Sequence, residues 1–277
     1  MRISGSSRKD GMTLMGEKYA VTFTFDKKKG EHVYGIYPIG ETDQTVAEKV
    51  KDVPFVRGFY SLGRSEGMRV SLGASLVGML GSVLVQSAEK NGKVRKGRLM
   101  LGTLLGTVPL AFTAWMVWRV FGFDGKVRKY HGAEHKVINA YLKNERAITG
   151  EEAELASRIS RRCGTNFVVY YGAASLAVSV LPVGGALLKQ LLAVGLAYEG
   201  FRMPEEKWPS MKRTLGACGD ALQRYVTTAE PDKEELAAAR KGLDLLVKAE
   251  AGEMTEEELE QYKKNAENRP FFDRMFG

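Results

Sequence analysis

The chain has 277 residues, of which 44% are apolar, and it carries a net charge of +8 at neutral pH. This length allows one large domain or two modest domains, each with a buried core. The two cysteines, Cys163 and Cys218, lie far apart in the sequence and give no disulfide framework. That spacing excludes the small secreted folds that depend on disulfides for stability.

The amino-terminal region is predicted to contain a small antiparallel β element. Its first ten residues have almost no apolar side chains, so we expect a mobile start. Residues Tyr19–Phe25 and Glu31–Tyr37 alternate in polarity, and the segment between them ends in Gly30. This pattern is typical of a hairpin with a glycine-containing turn, and we assign residues 1–62 to this region.

Two long apolar runs follow in the middle of the chain. Leu99–Trp118 has twenty residues without a charge, and Phe167–Leu188 has twenty-two. Runs of this length are sufficient to cross a bilayer. The shorter runs Val70–Val85 and Leu191–Tyr198 lie beside them, so the pattern predicts two apolar helical hairpins. The alternative is a set of buried helices in the core of a soluble protein.

The positive charge is clustered beside these apolar runs. Five lysines and arginines lie between positions 90 and 98, and three more lie at positions 126, 128 and 129. No recognition-helix, zinc-finger or base-stacking pattern accompanies them, so nucleic acid is not an expected partner. The expected partners are a lipid bilayer with anionic headgroups and either a membrane protein or a second copy of the chain.

Capping boxes predict two helices in the polar segments. Thr149 with Glu152 predicts a helix that runs to about Arg162, and Thr255 with Glu258 predicts a carboxy-terminal helix. We assign residues 63–204 to a membrane-embedded helical region and residues 205–277 to polar helices on the cytoplasmic side. The predicted fold is therefore a mainly α-helical, multi-pass integral protein of a bacterial cell membrane with a small β element in front.

The most informative motif is the string His131-Gly-Ala-Glu-His135. Two imidazoles at positions i and i+4 share one face of a helix and can bind one metal ion. The order H-x-x-E-H is that of inverzincins, in which the histidines bind zinc and the glutamate acts as a base on a bound water. Glu134 is therefore the candidate catalytic base. The alternative is a polar, hydrogen-bonded helix start that binds no metal.

A catalytic zinc site normally has three protein ligands, so the chain must supply one more. Cys163 follows an arginine-rich segment whose positive field favours the metal-binding thiolate. Glu199 is the second candidate, because it is an acid at the end of an apolar run. The alternatives are a small packed cysteine at position 163 and an ion pair between Glu199 and Arg202. The predicted metal is zinc or another divalent transition metal.

Three strings resemble the YqhQ-like bacterial membrane proteins in content and in order, namely Tyr130–Lys136, Arg162–Phe167 and Pro54–Gly58. That family has no known function, and its members are predicted to be metal-dependent enzymes. The resemblance covers most of the chain and implies a membrane protein with a metal site at the first of these strings. One departure is that Ser160–Thr165 stands where family members usually read His-Pro-Arg-Cys-Gly-Thr, so one histidine is missing.

These observations predict a metal-dependent hydrolase at the membrane surface that cleaves peptide bonds or, as the second choice, lipid esters. The alternative is a noncatalytic membrane scaffold or transport accessory protein in which the same side chains are structural. The two alternatives differ in the effect of Glu134→Gln. In a hydrolase this change abolishes turnover and leaves the metal bound, whereas in a scaffold it alters only stability or partner binding.

Overall fold

The computed structural model describes residues 1, 3–39, 49–63, 125–182 and 186–267, with the short stretches 89–90, 93–94, 96–97 and 100–101. The strands are β1 (Ser4–Arg8), β2 (Gly11–Met15), β3 (Tyr19–Asp26), β4 (Glu31–Pro38), β5 (Glu89–Lys90) and β6 (Lys93–Val94). The helices are α1 (Val56–Gly63), α2 (Gly125–Asn144), α3 (Gly150–Leu155), α4 (Gly164–Ser179), α5 (Ala186–Arg202), α6 (Pro209–Leu222), α7 (Lys233–Ala251) and α8 (Glu256–Glu267). A π-helical turn, Gln223–Thr227, follows α6 directly.

The chain divides into two compact units. The larger unit comprises residues 1–51 and 124–277, and the smaller comprises residues 52–123. In the smaller unit the structure describes α1 and the paired strands β5 and β6. The candidate functional residues singled out by the sequence all lie in the larger unit.

Strands β1 to β4 form an antiparallel meander in sequence order. The predicted hairpin is present, because β3 pairs with β4 from Tyr19 opposite Pro38 to Asp26 opposite Glu31. Gly30 closes its turn with a φ of 70°, a left-handed conformation that glycine adopts without steric cost. The alternation of polarity along both strands was therefore a reliable signal for this part of the sheet.

The prediction of a mobile start is wrong. Ser4–Arg8 forms β1 and pairs along its whole length with Gly11–Met15 of β2. The composition of β1 gives no strand signal, because its five residues are Ser, Gly, Ser, Ser and Arg. Its backbone hydrogen bonds to β2 and its contact with α2 stabilise it instead.

The core of the larger unit lies between the sheet and helices α2 and α7. Its largest fully buried apolar side chains come from both layers: Met12, Leu14, Val21, Phe23, Ile36, Val137, Leu243 and Leu246. Gly242 lets α7 approach the sheet closely, since a Cβ there would lie 2.9 Å from the Phe23 ring. Helix α8 packs against β4. This core fixes α2, the helix that carries the H-x-x-E-H motif.

Among the described residues, no helix combines the length and the apolar character needed to cross a bilayer. This finding contradicts the predicted integral membrane fold of two apolar hairpins and the predicted multi-pass location in the cell membrane. The predicted runs Val70–Val85 and Leu99–Trp118 lie outside the described residues, apart from positions 100 and 101.

The two helices of the second predicted hairpin have other boundaries than the apolar runs in the sequence. Helix α4 has 16 residues and ends at Ser179, and α5 has 17 residues and begins at Ala186. Pro182 lies between them, and a proline disfavours helical conformation at the residue before it. The apolar run Phe167–Leu188 therefore contributes to two helices, each shorter than a span.

The predicted capping box at Thr149 is present. The Glu152 backbone N–H donates to Thr149 Oγ1 at 3.2 Å, and the Thr149 N–H donates to the Glu152 carboxylate at 2.8 Å. Helix α3 ends at Leu155 rather than near Arg162, because Ala156 adopts an extended conformation. The residues after Ala156 therefore form a loop, which runs across α2 and leads to Cys163.

Candidate metal centre

Helix α2 and the N-cap of α4 bring together three side chains of the kinds that bind metals. His131 and His135 lie one turn apart on α2, with their ring centroids 4.5 Å apart. Cys163 is the N-cap residue of α4, and its Sγ lies 3.3 Å from His131 Nε2. One ligand atom from each of the three residues lies within 4.8 Å of the others. These three residues, which we call the ligand triad, form a group that can bind a metal ion.

Backbone carbonyls orient both imidazoles of the ligand triad. His131 Nδ1 lies 2.9 Å from the carbonyl oxygen of Thr227, and His135 Nδ1 lies 2.7 Å from that of Arg158. A carbonyl oxygen can only accept a hydrogen bond, so each Nδ1 is the donor and carries the proton. In the neutral ring this leaves the lone pair on Nε2, the atom available to a metal.

One distance in the ligand triad is close to that of tetrahedral zinc, and the others are at most 4.8 Å. Zinc bonds of about 2.0–2.1 Å to nitrogen and about 2.3 Å to sulfur place tetrahedral ligand atoms roughly 3.3–3.6 Å apart. The 3.3 Å between His131 Nε2 and Cys163 Sγ already falls in this range. Three protein ligands leave a fourth position open, which is the arrangement of catalytic rather than structural zinc sites.

Without a metal, the cysteine and His131 favour an ion pair. Burial opposes ionisation of the Cys163 thiol, but hydrogen bonds and charges from both histidines outweigh it and lower its pKa to about 6. Burial likewise opposes protonation of His131, but the contacts with Cys163, Glu134 and the Thr227 carbonyl raise its pKa to about 9. The Thr165 N–H also donates to Cys163 Sγ at 3.4 Å. The cysteine is thus poised as the thiolate that metals bind.

Glu134, the predicted base, is buried and faces β1. Its carboxylate accepts a hydrogen bond from the Ser7 hydroxyl. Gly5 lies against the same carboxyl group, since a Cβ there would lie 2.6 Å from Glu134 Cδ. The charge of Glu134 is still close enough to raise the pKa of His131. The carboxylate therefore interacts with the ligand triad electrostatically while its hydrogen bond goes to the sheet.

Glu199, the alternative third ligand, is half-buried near the end of α5. It does not belong to the ligand triad, in which Cys163 supplies the third ligand atom. The geometry therefore brings together three of the four residues that the sequence singled out as ligands.

A glycine in the motif lets α2 approach the chain after the π-helical turn. A Cβ at Gly132 would lie 2.0 Å from the carbonyl oxygen of Ala229. The Ala229 N–H donates to the Arg128 carbonyl at 2.8 Å, which anchors this approach. Thr227, whose carbonyl orients His131, lies two residues before Ala229. Gly132 therefore permits the contact on which the orientation of His131 depends.

Arg158 connects the two carbonyls that orient the histidines. Its own carbonyl accepts from His135, and its Nη1 donates to Thr228 Oγ1 at 2.7 Å and to the Arg224 carbonyl at 3.2 Å. Thr228 follows Thr227 in the chain. One arginine thus positions the loop that carries His135's acceptor and the turn that carries His131's acceptor.

The last residue of the motif extends the same network. Lys136 is buried, and its ammonium lies 2.5 Å from a carboxylate oxygen of Glu230. The other oxygen of Glu230 lies 3.4 Å from Arg158 Nε. Lys136 also donates to the Glu154 carbonyl at 2.7 Å. Every position from His131 to Lys136 therefore has a distinct contact, except Ala133, which is fully buried in the core.

Buried amides fix the segment just before Cys163. Ser160 stands where the resembled family usually has a histidine, and its N–H donates to Gln223 Oε1 at 2.8 Å. Its carbonyl accepts from Asn166 Nδ2 at 2.9 Å. The ligand triad is complete without a histidine at this position.

Sequence reasoning missed the residues that act through their backbones. The carbonyl groups of Thr227 and Arg158 have no side-chain signature, and Ser7 lies in a strand without a strand-like composition. Gly132 did carry a signal, because a glycine within a helix is unfavourable unless another backbone approaches it.

Comparison with known proteins places this centre inside the matched region. Residues 117–249 match the family model described as a protein of unknown function (DUF1385). The chain is also 31% identical over 158 residues to the uncharacterized protein YqhQ of Bacillus subtilis (strain 168). Both findings support a YqhQ-like family of uncharacterized proteins. That match covers 53% of this chain and 46% of the Bacillus protein, so the chain spans about half the length of this relative. No solved structure matches the chain.

Proposed function

We propose that this protein is a metal-dependent hydrolase whose ligand triad of His131, His135 and Cys163 binds one zinc ion or a similar divalent transition metal. The observation that carries the proposal is the orientation of the two imidazoles, whose Nδ1 atoms both donate to backbone carbonyls. This arrangement presents Nε2 of each ring toward the same thiolate. Mixed imidazole and thiolate ligands favour zinc, with other late transition metals as competitors.

When bound, such an ion supplies a Lewis acid that polarises a carbonyl oxygen and lowers the pKa of a water molecule. His131 and His135 act as neutral ligands, and the thiolate of Cys163 reduces the net charge of the centre. Glu134 is the candidate acceptor for the proton released in hydrolysis, because it is the carboxylate that interacts with His131. Peptide bonds are the first candidate substrate and esters the second.

A noncatalytic scaffold is the second candidate function, and one contact favours it. The hydrogen bond from Ser7 to Glu134 joins β1 to α2, so the carboxylate has a structural partner. In that case the metal would stabilise the fold, as structural zinc does.

The first experiment is elemental analysis of protein purified without a metal-affinity tag. The wild type is compared with the double variant His131→Ala, His135→Ala and with His32→Ala as the matched control. His32 is the third histidine of the chain and bonds to the Tyr130 hydroxyl on the sheet side. We expect near-stoichiometric metal in the wild type and in His32→Ala, and little in the double variant. Equally low metal in all three proteins, persisting after zinc is added back, would contradict the proposal.

The second experiment separates the enzyme from the scaffold. Glu134→Gln should leave the metal content unchanged and abolish turnover of peptide and ester substrates by the zinc-loaded protein. If the wild type binds zinc and turns over no substrate of either class, and if Glu134→Gln lowers only stability, the scaffold is favoured instead.

A further inference from the structure

Two buried hydroxyl groups lie beside the ligand triad and connect two of its members. Thr165 Oγ1 lies 3.4 Å from Cys163 Sγ and 3.3 Å from Thr227 Oγ1. Thr227 is also the residue whose carbonyl accepts from His131 Nδ1. The two hydroxyls, which we call the hydroxyl bridge, therefore join the sulfur ligand to the residue that orients an imidazole ligand.

Thr165 contacts the sulfur through two of its groups. Cys163 is the N-cap residue of α4, so its Sγ accepts from the Thr165 backbone N–H at 3.4 Å in the first turn of the helix. The Thr165 hydroxyl lies at the same distance from that sulfur. Threonine is β-branched and has few rotamers in a helix, so little side-chain freedom is lost when this hydroxyl is held in place.

Thr227 holds the other end of the bridge in a closed turn. It is 1% exposed and is the last residue of the π-helical turn. Thr228 closes this turn, because its N–H and its hydroxyl both donate to the Gln223 carbonyl, at 3.0 and 2.8 Å. The carbonyl of Thr227 is thus fixed toward His131 while its hydroxyl is fixed toward Thr165.

The direction of the hydrogen bonds follows from the form of the cysteine that binds metals. A thiolate can only accept hydrogen bonds, whereas a hydroxyl donates one and also accepts. When Cys163 is the thiolate, the Thr165 hydroxyl donates to the sulfur and can accept from the Thr227 hydroxyl. Each donor in such a chain polarises the next, which strengthens the hydrogen bond to the sulfur.

We propose that Thr165 and Thr227 are positioning residues of the metal centre, which hold Cys163 Sγ at its ligand position and withdraw charge from the thiolate. The inference rests on the proposed metal site, although it does not require hydrolysis. Outer contacts of this kind orient the ligands of a metal and tune its electronic properties. A sulfur that donates less charge leaves the metal a stronger Lewis acid, which is the property that hydrolysis requires.

The test is a titration of the full-length, metal-free protein with cobalt(II), followed by the thiolate-to-cobalt charge-transfer absorption. This absorption reports on the metal–sulfur bond itself, and cobalt(II) accepts the same nitrogen and sulfur ligands as zinc. Thr165→Val removes the hydroxyl and keeps the backbone N–H, and Thr165→Ser returns the hydroxyl. The matched control is Thr22→Val, because Thr22 Oγ1 accepts from Thr13 Oγ1 at 2.9 Å in a second buried hydroxyl pair, which lies in the sheet.

We expect Thr165→Val to bind cobalt about tenfold or more weakly and to move the charge-transfer band to longer wavelength. The band moves because a thiolate with fewer hydrogen bonds gives up an electron more easily. Thr165→Ser should restore the affinity and the band, and Thr22→Val should match the wild type in both. A merely structural defect would lower the amount of bound cobalt without moving the band.

A second variant keeps the test decisive if Thr165→Val does not fold. Thr227→Val retains the carbonyl that orients His131, and it should weaken cobalt binding by about two- to tenfold with a smaller shift of the band. In a Thr165→Val background it should move the band no further, because its hydroxyl acts on the sulfur only through Thr165.

Three outcomes would overturn the proposal. An unmoved band in the valine variants, or a moved band that Thr165→Ser does not restore, would do so while leaving the metal site intact. Equal, additive shifts from Thr165→Val and Thr227→Val would overturn the bridge in the same way. A wild type without a sulfur-to-cobalt band would overturn both this proposal and Cys163 as a ligand, so the two failures are distinguishable.

Discussion

Two regions of the larger unit supply the candidate metal centre, and they are stabilised in different ways. The sheet region, β1–β4 with α2 and α7, buries its large apolar side chains, and Leu243 is fully inaccessible. The helical region, α4–α6, leaves several large apolar side chains accessible, with Leu176 74% exposed and Val180 81% exposed. The histidines belong to the first region and Cys163 to the second.

This difference indicates that the two sides of the centre depend on different forces. The histidines stand on a helix held by apolar burial, whereas hydrogen bonds hold the segment around Cys163. Gln223 accepts from the Ser160 N–H, Asn166 donates to the Ser160 carbonyl, and Arg158 donates to Thr228. We therefore expect core substitutions to affect folding and polar substitutions to affect metal affinity. The following predictions test that separation, from the largest expected effect to the smallest.

A leucine-to-alanine substitution should lower the free energy of unfolding strongly in the sheet region and hardly at all in the helical region. Leu243→Ala removes a fully buried side chain and should lower the free energy of unfolding by about 2–5 kcal/mol. Leu176→Ala in α4 removes an exposed one and should change it by less than about 0.5 kcal/mol. Urea denaturation of both variants measures the difference. A large loss in Leu176→Ala would show that the helical region is also held by apolar burial.

The glycine of the motif should be sensitive to an added methyl group. Gly132→Ala places a Cβ 2.0 Å from the Ala229 carbonyl oxygen, so it should lower the free energy of unfolding by about 1–3 kcal/mol. Gly172→Ala is the matched control in α4, where nothing lies within 4 Å of the added Cβ. That control should be neutral or stabilising, because alanine favours a helix. Denaturation curves that rank the two variants in the opposite order would contradict the close approach of α2.

Arg158 should affect metal affinity more than folding. Arg158→Gln removes the hydrogen bonds that position the acceptors of both histidines, and loss of such outer contacts weakens metal binding by about ten- to hundredfold. Arg146→Gln is the control, since Arg146 forms an ion pair with Glu152 at 2.5 Å on the protein surface. Competition with a zinc-binding dye measures both dissociation constants. Equal constants in the two variants would remove Arg158 from the support of the centre.

The sequence predicted the parts of the fold that depend on local patterns. Tyr19–Phe25 and Glu31–Tyr37 formed the expected hairpin, because alternation and Gly30 act within a few residues of each other. Strand β1 was missed, because its pairing with β2 and its contact with α2 leave no trace in its composition. The run Phe167–Leu188 was misread because apolar length alone does not show where a helix ends.

The same distinction applies to the candidate site. The spacing of His131 and His135 was visible in the sequence, since four residues along a helix bring two side chains to one face. Cys163 and Glu199 could not be separated, because the choice depends on where the N-cap of α4 lies relative to α2, and more than twenty residues of chain lie between them. The carbonyl groups that orient the histidines cannot be predicted from any side chain.

The smallest expected effect is that of pH on the metal-free protein, and it follows from the coupling of the two regions through Cys163 and His131. The thiolate should titrate with a midpoint near pH 6, well below the ordinary value of 9.0. The rate of alkylation of Cys163 by iodoacetamide, measured against pH in a Cys218→Ser background, checks this midpoint. A midpoint that stays near the ordinary value would contradict the ion pair with His131.

The stability of the metal-free protein should nevertheless change little with pH through this pair. The raised pKa of His131 stabilises the fold fully below its unfolded value of 6.5, and this contribution is lost as the pH rises through about 9. The lowered pKa of Cys163 stabilises the fold above its unfolded value of 9.0, and this contribution is lost as the pH falls through about 6. Between these limits the unfolded chain holds one proton, on the thiol, and the folded chain also holds one, on the imidazole. Because both states bind the same number of protons, the slope of the unfolding free energy with pH is close to zero. Urea denaturation across this interval measures the slope. A slope near 1.4 kcal/mol per pH unit that disappears in Cys163→Ser would show that the folded and unfolded states bind different numbers of protons at this pair.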